Sequence, residues 1–206
     1  MAEKLLMSIF FSADLHFCHD SIRSYCNRPY SSAQEMNNGL IKNWNNTVKD
    51  GDTVYLLGDI GMGNRHDIVD CFFSLNGNIQ WITGNHDKSQ CKWPELKKRF
   101  DWIGIYKEIK IPDLTSYYKS NNYQKIVLFH YPIHSWNGMH HGSWMLHGHT
   151  HGTFYVRDNL ILDVGVDCWD YAPVSYERVK KYMAIRKFVP VDGHGKQGAY
   201  IYKPSF

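Results

Sequence analysis

Four short apolar runs in this chain stop at the same kind of residue, and that repetition constrains the fold more than any other feature. Residues 8–12 lead into Asp14, residues 53–57 into Gly58-Asp59, residues 79–83 into Gly84-Asn85-His86-Asp87, and residues 126–129 into His130. Short apolar runs bounded by turn residues read as buried strands. Between the first two, residues 32–48 read as a helix. Ser32 and Glu35 match a capping box, and Met36, Leu40, Trp44 and Val48 share one face. Asp50-Gly51-Asp52 is a turn, and residues 65–75 form a second helix that Asn76-Gly77 ends. Strand, helix, strand with short connections is the βαβ unit of a parallel arrangement. Ligands of α/β sheets gather beyond the carboxyl ends of strands, so several strands here can converge on one site.

The later chain is expected to be extended over residues 102–111, with a polar, Tyr-rich mobile loop over 114–124. Strands follow at 143–146, 153–157 and 160–166, and Ser175 caps a last helix running to about residue 187. The tail from Pro190 to Phe206 receives no assignment. No repeat or linker divides the chain, so residues 1–206 are read as one domain.

The composition bounds the function. A net charge of +3 with no long run of one sign argues against a stable nucleic-acid partner. The aromatic residues are read first as core, and second as possible stacking surfaces for nucleobases. The five cysteines, Cys18, Cys26, Cys71, Cys91 and Cys168, form no CxxC pair and suit reduced thiols. The N-terminal apolar stretch is short and reads as a first strand rather than a signal peptide. Nothing approaches a membrane helix. A soluble, cytoplasmic protein with no membrane association is expected, as a monomer or homodimer.

The chain has 12 histidines, and seven lie between His130 and His151, where an even spread would place one or two. They are ordered around His130-Tyr131-Pro132 and Gly148-His149-Thr150-His151, which favours metal binding over a surface tract. Five pieces stand in sequence: Asp14-x-His16, Gly58-Asp59, Gly84-Asn85-His86-Asp87, His130, and Gly148-His149-x-His151. Each is weak alone. Together, each at a strand end, they are a strong joint signal.

This series resembles the calcineurin-like metallophosphoesterase family, in its small bacterial and phage-type members. The likeness covers about residues 8–170 and extends to Asp14-Leu-His-Phe-Cys-His19, Asp52-Thr-Val-Tyr-Leu-Leu-Gly-Asp59, Leu75-Asn-Gly and Val164-Gly-Val-Asp-Cys-Trp169. The resemblance implies a four-layer α/β/β/α sandwich of two mixed sheets flanked by helices. It also implies two divalent transition-metal ions, from Mn, Fe, Ni, Zn or Co, with Mn favoured. One ion would be held by Asp14, His16, Asp59 and His151, the other by Asp59, Asn85, His130 and His149. His86 would bind no metal and would face the substrate phosphate.

Mixed carboxylate, imidazole and amide ligands suit such ions. Two of them a few ångströms apart form the clamp of in-line phosphoryl displacement, with a bridging hydroxide as nucleophile. His86 would stabilise charge on the phosphate oxygens or act as general acid. Asp87 would either orient His86 or serve the turn. His19, Asn85, His86 and Arg65 are candidate substrate contacts, and a surface ion pair is an equal reading for Arg65. His134, His140 and His141 read as loop residues, and His66 and His194 as surface residues. His147 should point away from the metals by strand alternation. Asp163 and Asp167 read as turn residues or supports for the ligands.

The expected activity is a phosphodiesterase acting on a nucleotide or a related small metabolite, with pocket walls at 20–35, 112–124 and 132–142. A nuclease or a phosphomonoesterase is the alternative. The Gly58-Asp-Ile-Gly-Met-Gly63 and GNHD segments count against a protein phosphatase, whose motifs read GDxVDRG and GNHE. A non-catalytic scaffold is disfavoured because every ligand position is filled.

Overall fold

A computed structural model of the chain describes residues 7–115, 122–154 and 159–186. Its elements begin with β1 (Ile9–Ser12), α1 (Ile22–Tyr25), α2 (Ala33–Thr47), β2 (Thr53–Leu57), α3 (Arg65–Phe73) and β3 (Asn78–Ile82). They continue with α4 (Pro94–Arg99), β4 (Phe100–Gly104), β5 (Tyr106–Pro112), β6 (Tyr123–Phe129), β7 (Trp144–His147), β8 (Ile161–Asp163), β9 (Val174–Ser175) and α5 (Tyr176–Ala184).

The strands make two mixed sheets. One has the order β4-β3-β2-β1-β9, the other β5-β6-β7-β8. In the first, β1 to β4 run parallel and β9 is antiparallel to β1. In the second, β6, β7 and β8 are parallel and β5 is antiparallel to β6. The parallel pairs β1/β2, β2/β3 and β3/β4 are joined by crossovers through α2, α3 and α4, as such pairs require.

Strand alternation divides the core in two. Val54, Leu56, Ile79 and Trp81 face the helices, where Met36, Leu40 and Trp44 of α2 and Ile68 and Phe72 of α3 meet them. Phe11, Leu57 and Ile82 face the second sheet and pack with Ile126, Leu128, Met145 and Leu146. Val179 and Met183 of α5 join that inter-sheet core. Two mixed sheets flanked by helices therefore form the molecule.

The cap at Ser175 forms as read, and the Ser32–Glu35 capping box forms by half. The Ser32 hydroxyl accepts from Glu35 N at 3.1 Å, a contact of about 1 kcal/mol, while the Glu35 carboxylate turns back to Ser31. Ser175 accepts from Arg178 N at the start of α5.

Several expectations need correction. The extended stretch 102–111 is not one strand. It breaks at Ile105, with β4 closing the edge of one sheet and β5 opening the other. The short α1 and α4 carry too few turns for a helical period to register. Segment 112–124 lies at the start of β6, about 20 Å of strand from His130, so its described part cannot wall the site. Residues 116–121, most of the expected strand at 153–157, and the tail with His194 lie outside the described residues. Thr153 and Phe154 are described and are not in a strand. All five cysteines are free, and no helix among the described residues is long and apolar enough to cross a membrane.

Candidate metal centre

The parallel strands deliver the site. Asp14 follows β1 by two residues, Asp59 follows β2 by two, Asn85 follows β3 by three, His130 follows β6 directly, and His149 follows β7 by two. Because β1, β2 and β3 run the same way, their carboxyl ends stand side by side, and those of β6 and β7 do likewise. The His130 ring joins the two sheets, with Nδ1 2.7 Å from the Leu57 carbonyl.

At five of the seven expected ligands the backbone turns left-handed. The φ angles are 58° at Asp14, 51° at His16, 53° at Asp59, 70° at His149 and 47° at His151. Such conformations cost non-glycine residues on the order of 1 kcal/mol each and gather at functional sites. Here they aim side chains inward just past the strand ends. The neighbouring glycines let these loops close in: a Cβ on Gly84 would overlap the Asp59 carboxylate, and one on Gly148 would come within 2.7 Å of Asp14 Oδ2.

The side chains gather in two adjoining groups, Asp14 with His16 and His151, and Asp59 with His130 and His149. Within each group the ligand atoms lie within 4.8 Å of one another. Asp59 sits between them. Its Oδ2 is 3.4 Å from His130 Nε2, 3.8 Å from His16 Nε2 and 4.0 Å from His86 Nε2. Asn85 Oδ1 lies 2.9 Å from His130 Nε2. With Nδ1 donating to the Leu57 carbonyl, His130 Nε2 points at two oxygen acceptors, Asn85 Oδ1 and Asp59 Oδ2, so a proton or a cation must stand between them. His16 Nε2 is buried and makes no hydrogen bond. Converging lone pairs with an unpartnered buried nitrogen fit a cation, and the donor types fit a divalent transition metal.

The electrostatics agree. Burial lifts the Asp14 carboxyl to about 7 against the opposing charges of His151 and His130. Burial also acts to raise Asp59, but its hydrogen bond and charge pairing with His130 hold it down at about 2. His130 rises to about 9 because its bond to Asp59 and the charges of Asp14 and Asp59 outweigh burial. Burial, helped by the charges of Arg28, His151 and His19, outweighs the opposing charge of Asp59 and keeps His16 well below the usual histidine value, which favours the neutral ring. The proton that His130 holds stands where a metal ion would replace it.

No family model matches the chain. The uncharacterized protein MJ1445 of Methanocaldococcus jannaschii is 33% identical over 192 residues, covering 89% of this chain and 96% of that protein. The chain belongs to the family of that archaeal protein. The Gene 66 protein of Mycobacterium phage L5 is 24% identical over 187 residues, covering 80% of this chain and 88% of its own length. The fold resembles the crystal structure of a protein of unknown function, AQ665, from Aquifex aeolicus. That likeness has a TM-score of 0.64 at 22% identity, over 86% of this chain and 100% of the other.

A cleft of about 330 Å³ opens over the two groups. His16, Asp59, Asn85, His86, His149 and His151 line its floor, and His19, Ile22, Tyr25 and Met62 its side. The expected wall at 20–35 is therefore in place, whereas nothing from 132–142 lines this cleft. The His86 ring is 40% exposed and His19 Nδ1 lies 3.3 Å from His16 Nδ1.

Two candidates leave the site. Arg65 pairs with Glu95 at 2.6 Å and lies over Trp93, so it takes the surface reading. Asp87 is fully buried and does not hold His86. Its carboxylate accepts from the backbone of Asp59, Ile60 and Gly84 and from Trp81 Nε1, clamping the loops after β2 and β3 together. His147 lines a separate cavity with Phe154 and Trp169, away from the cleft. Arg28, which carries no signal in the sequence, is buried beside the site and bonded to Asp167.

Proposed function

We propose that this chain is a dinuclear-metal phosphoester hydrolase of the calcineurin-like metallophosphoesterase type, with that fold's four-layer α/β/β/α arrangement. The observation that carries the reading is the position of Asp59 Oδ2, between His130 Nε2 and the unpartnered His16 Nε2. A carboxylate shared by two groups of ligands is what a pair of ions needs. Asp14, His16, Asp59 and His151 would hold one ion, and Asp59, Asn85, His130 and His149 the other. Bound there, two divalent ions such as manganese supply an activated water near neutral pH and positive charge for phosphate oxygens.

The protein's own groups do the rest. His86 projects into the cleft without joining either group, so its ring can donate to a phosphate oxygen or protonate the leaving oxygen. His19 stands on the adjacent wall, where it can meet the same phosphate. Asp87 holds the loops that carry Asp59 and His86 in register. The cleft suits a small phosphoester, and a phosphodiester of a nucleotide or related metabolite is the favoured class.

The test is hydrolysis of bis-p-nitrophenyl phosphate and p-nitrophenyl phosphate by metal-stripped protein, with and without added manganese. Manganese-dependent cleavage favouring the diester is the expected result. Absence of cleavage of either ester by protein loaded with two ions per chain would count against the assignment.

A further inference from the structure

Resting on that reading of the site, we infer that Asp167 and Arg28 are positioning residues for one half of it. Asp167 sets the ring of His151, and Arg28 holds Asp167 and the Asp14–His16 loop together. Asp167 Oδ2 lies 2.7 Å from His151 Nδ1. Asp167 is also gripped at two points by Arg28, Nε to Oδ1 at 2.8 Å and Nη2 to Oδ2 at 2.8 Å. A carboxylate paired in this way is an acceptor, so His151 Nδ1 carries the proton and Nε2 keeps its lone pair. The ring is thereby held in the form and orientation a metal ligand requires.

Arg28 has a second task. Its Nη2 donates to the Asp14 carbonyl at 2.7 Å and its Nη1 to the Leu15 carbonyl at 2.9 Å. Those carbonyls lie in the stretch where both Asp14 and His16 are left-handed. One guanidinium, with its side chain wholly buried, thus braces all three ligands of the Asp14, His16 and His151 group. A buried ion pair adds little net stability over an apolar replacement, so its value here is positional. The other group is set differently, with His130 fixed by the Leu57 carbonyl.

The consequence is asymmetric. Losing Asp167 should weaken one metal position about ten- to hundredfold and spare the other. Metal-stripped full-length protein is titrated with manganese and bound metal is counted, without recourse to activity. Asp167→Asn should retain one ion at wild-type affinity and bind the second more weakly. In a His151→Ala background Asp167→Asn should have a smaller effect than in the wild type, since its bond to His151 is already gone and only its hold on Arg28 remains to be lost. Arg28→Lys, which keeps the charge but not the fork, should weaken the same position and provides the measurement if Asp167→Asn does not fold. Two ions at wild-type affinity in both folded variants would overturn the role. So would equal weakening of both positions. A wild-type chain that binds no manganese would overturn the metal-site reading itself, and the role with it.

Discussion

His86 differs from the four ligand histidines in that it contributes to neither ligand group. Its side chain is 40% exposed, and the ligand candidate His149 is exposed as well, so its place outside both groups is what sets it apart. A group that meets substrate rather than metal should affect turnover alone. His86→Gln is expected to lower turnover about a hundredfold or more while leaving metal content unchanged. Wild-type turnover in that variant would remove His86 from the mechanism. The seven ligand candidates were legible because metal chemistry admits few residue types and each follows a strand. Arg28 was not, because its partners are Asp14, Leu15 and the distant Asp167, and Asn27-Arg28-Pro29 announces none of them. Asp87 was half legible. Its place in the GNHD turn was plain, but four donors from three segments compete for its carboxylate, and only the fold brings them together.

Among the elements, the long strands and helices were readable from period and caps, and the failures were local. Residues 102–111 read as one extended run across what the fold divides into β4 and β5. Which sheet each joins is decided by tertiary contacts beyond any local pattern. A separate tie links β5 to α5. Asp113, just past β5, accepts from Tyr176 OH at 2.5 Å and pairs with Lys180 at 2.7 Å. Burial opposes its charge, but the bonds from Lys180, Tyr176 and Thr115 outweigh it and hold its carboxyl below the usual carboxylate range. With the folded value depressed, this stability is present above the unfolded value of 3.8 and is lost as pH falls below it. A charged hydrogen-bonded group of this kind contributes roughly 2 kcal/mol. Asp113→Asn should therefore unfold about 5 °C below the wild type at pH 7 in calorimetry, with the gap closing below pH 4. A gap independent of pH would contradict the assignment of charge to this tie.

For the whole molecule, the two sheets meet at the site, so metal should act on global stability. The ligands come from β1, β2 and β3 of one sheet and β6 and β7 of the other, and occupied sites would tie the two together. A ligand that binds only the folded state at a hundred times its dissociation constant adds about 2.7 kcal/mol per site. Manganese should raise the melting temperature of stripped protein by about 5 °C or more, and chelation should reverse it. An unchanged melting temperature would mean that the sheets close without help from the ion. The most direct test of the account is the metal content of purified protein, wild type beside Asp59→Asn, by elemental mass spectrometry after loading with manganese. Two ions per wild-type chain and loss of both in Asp59→Asn are predicted, because Asp59 serves both groups. A wild-type chain that takes up none, or an Asp59→Asn chain that keeps two, would contradict the shared carboxylate on which the proposed function rests.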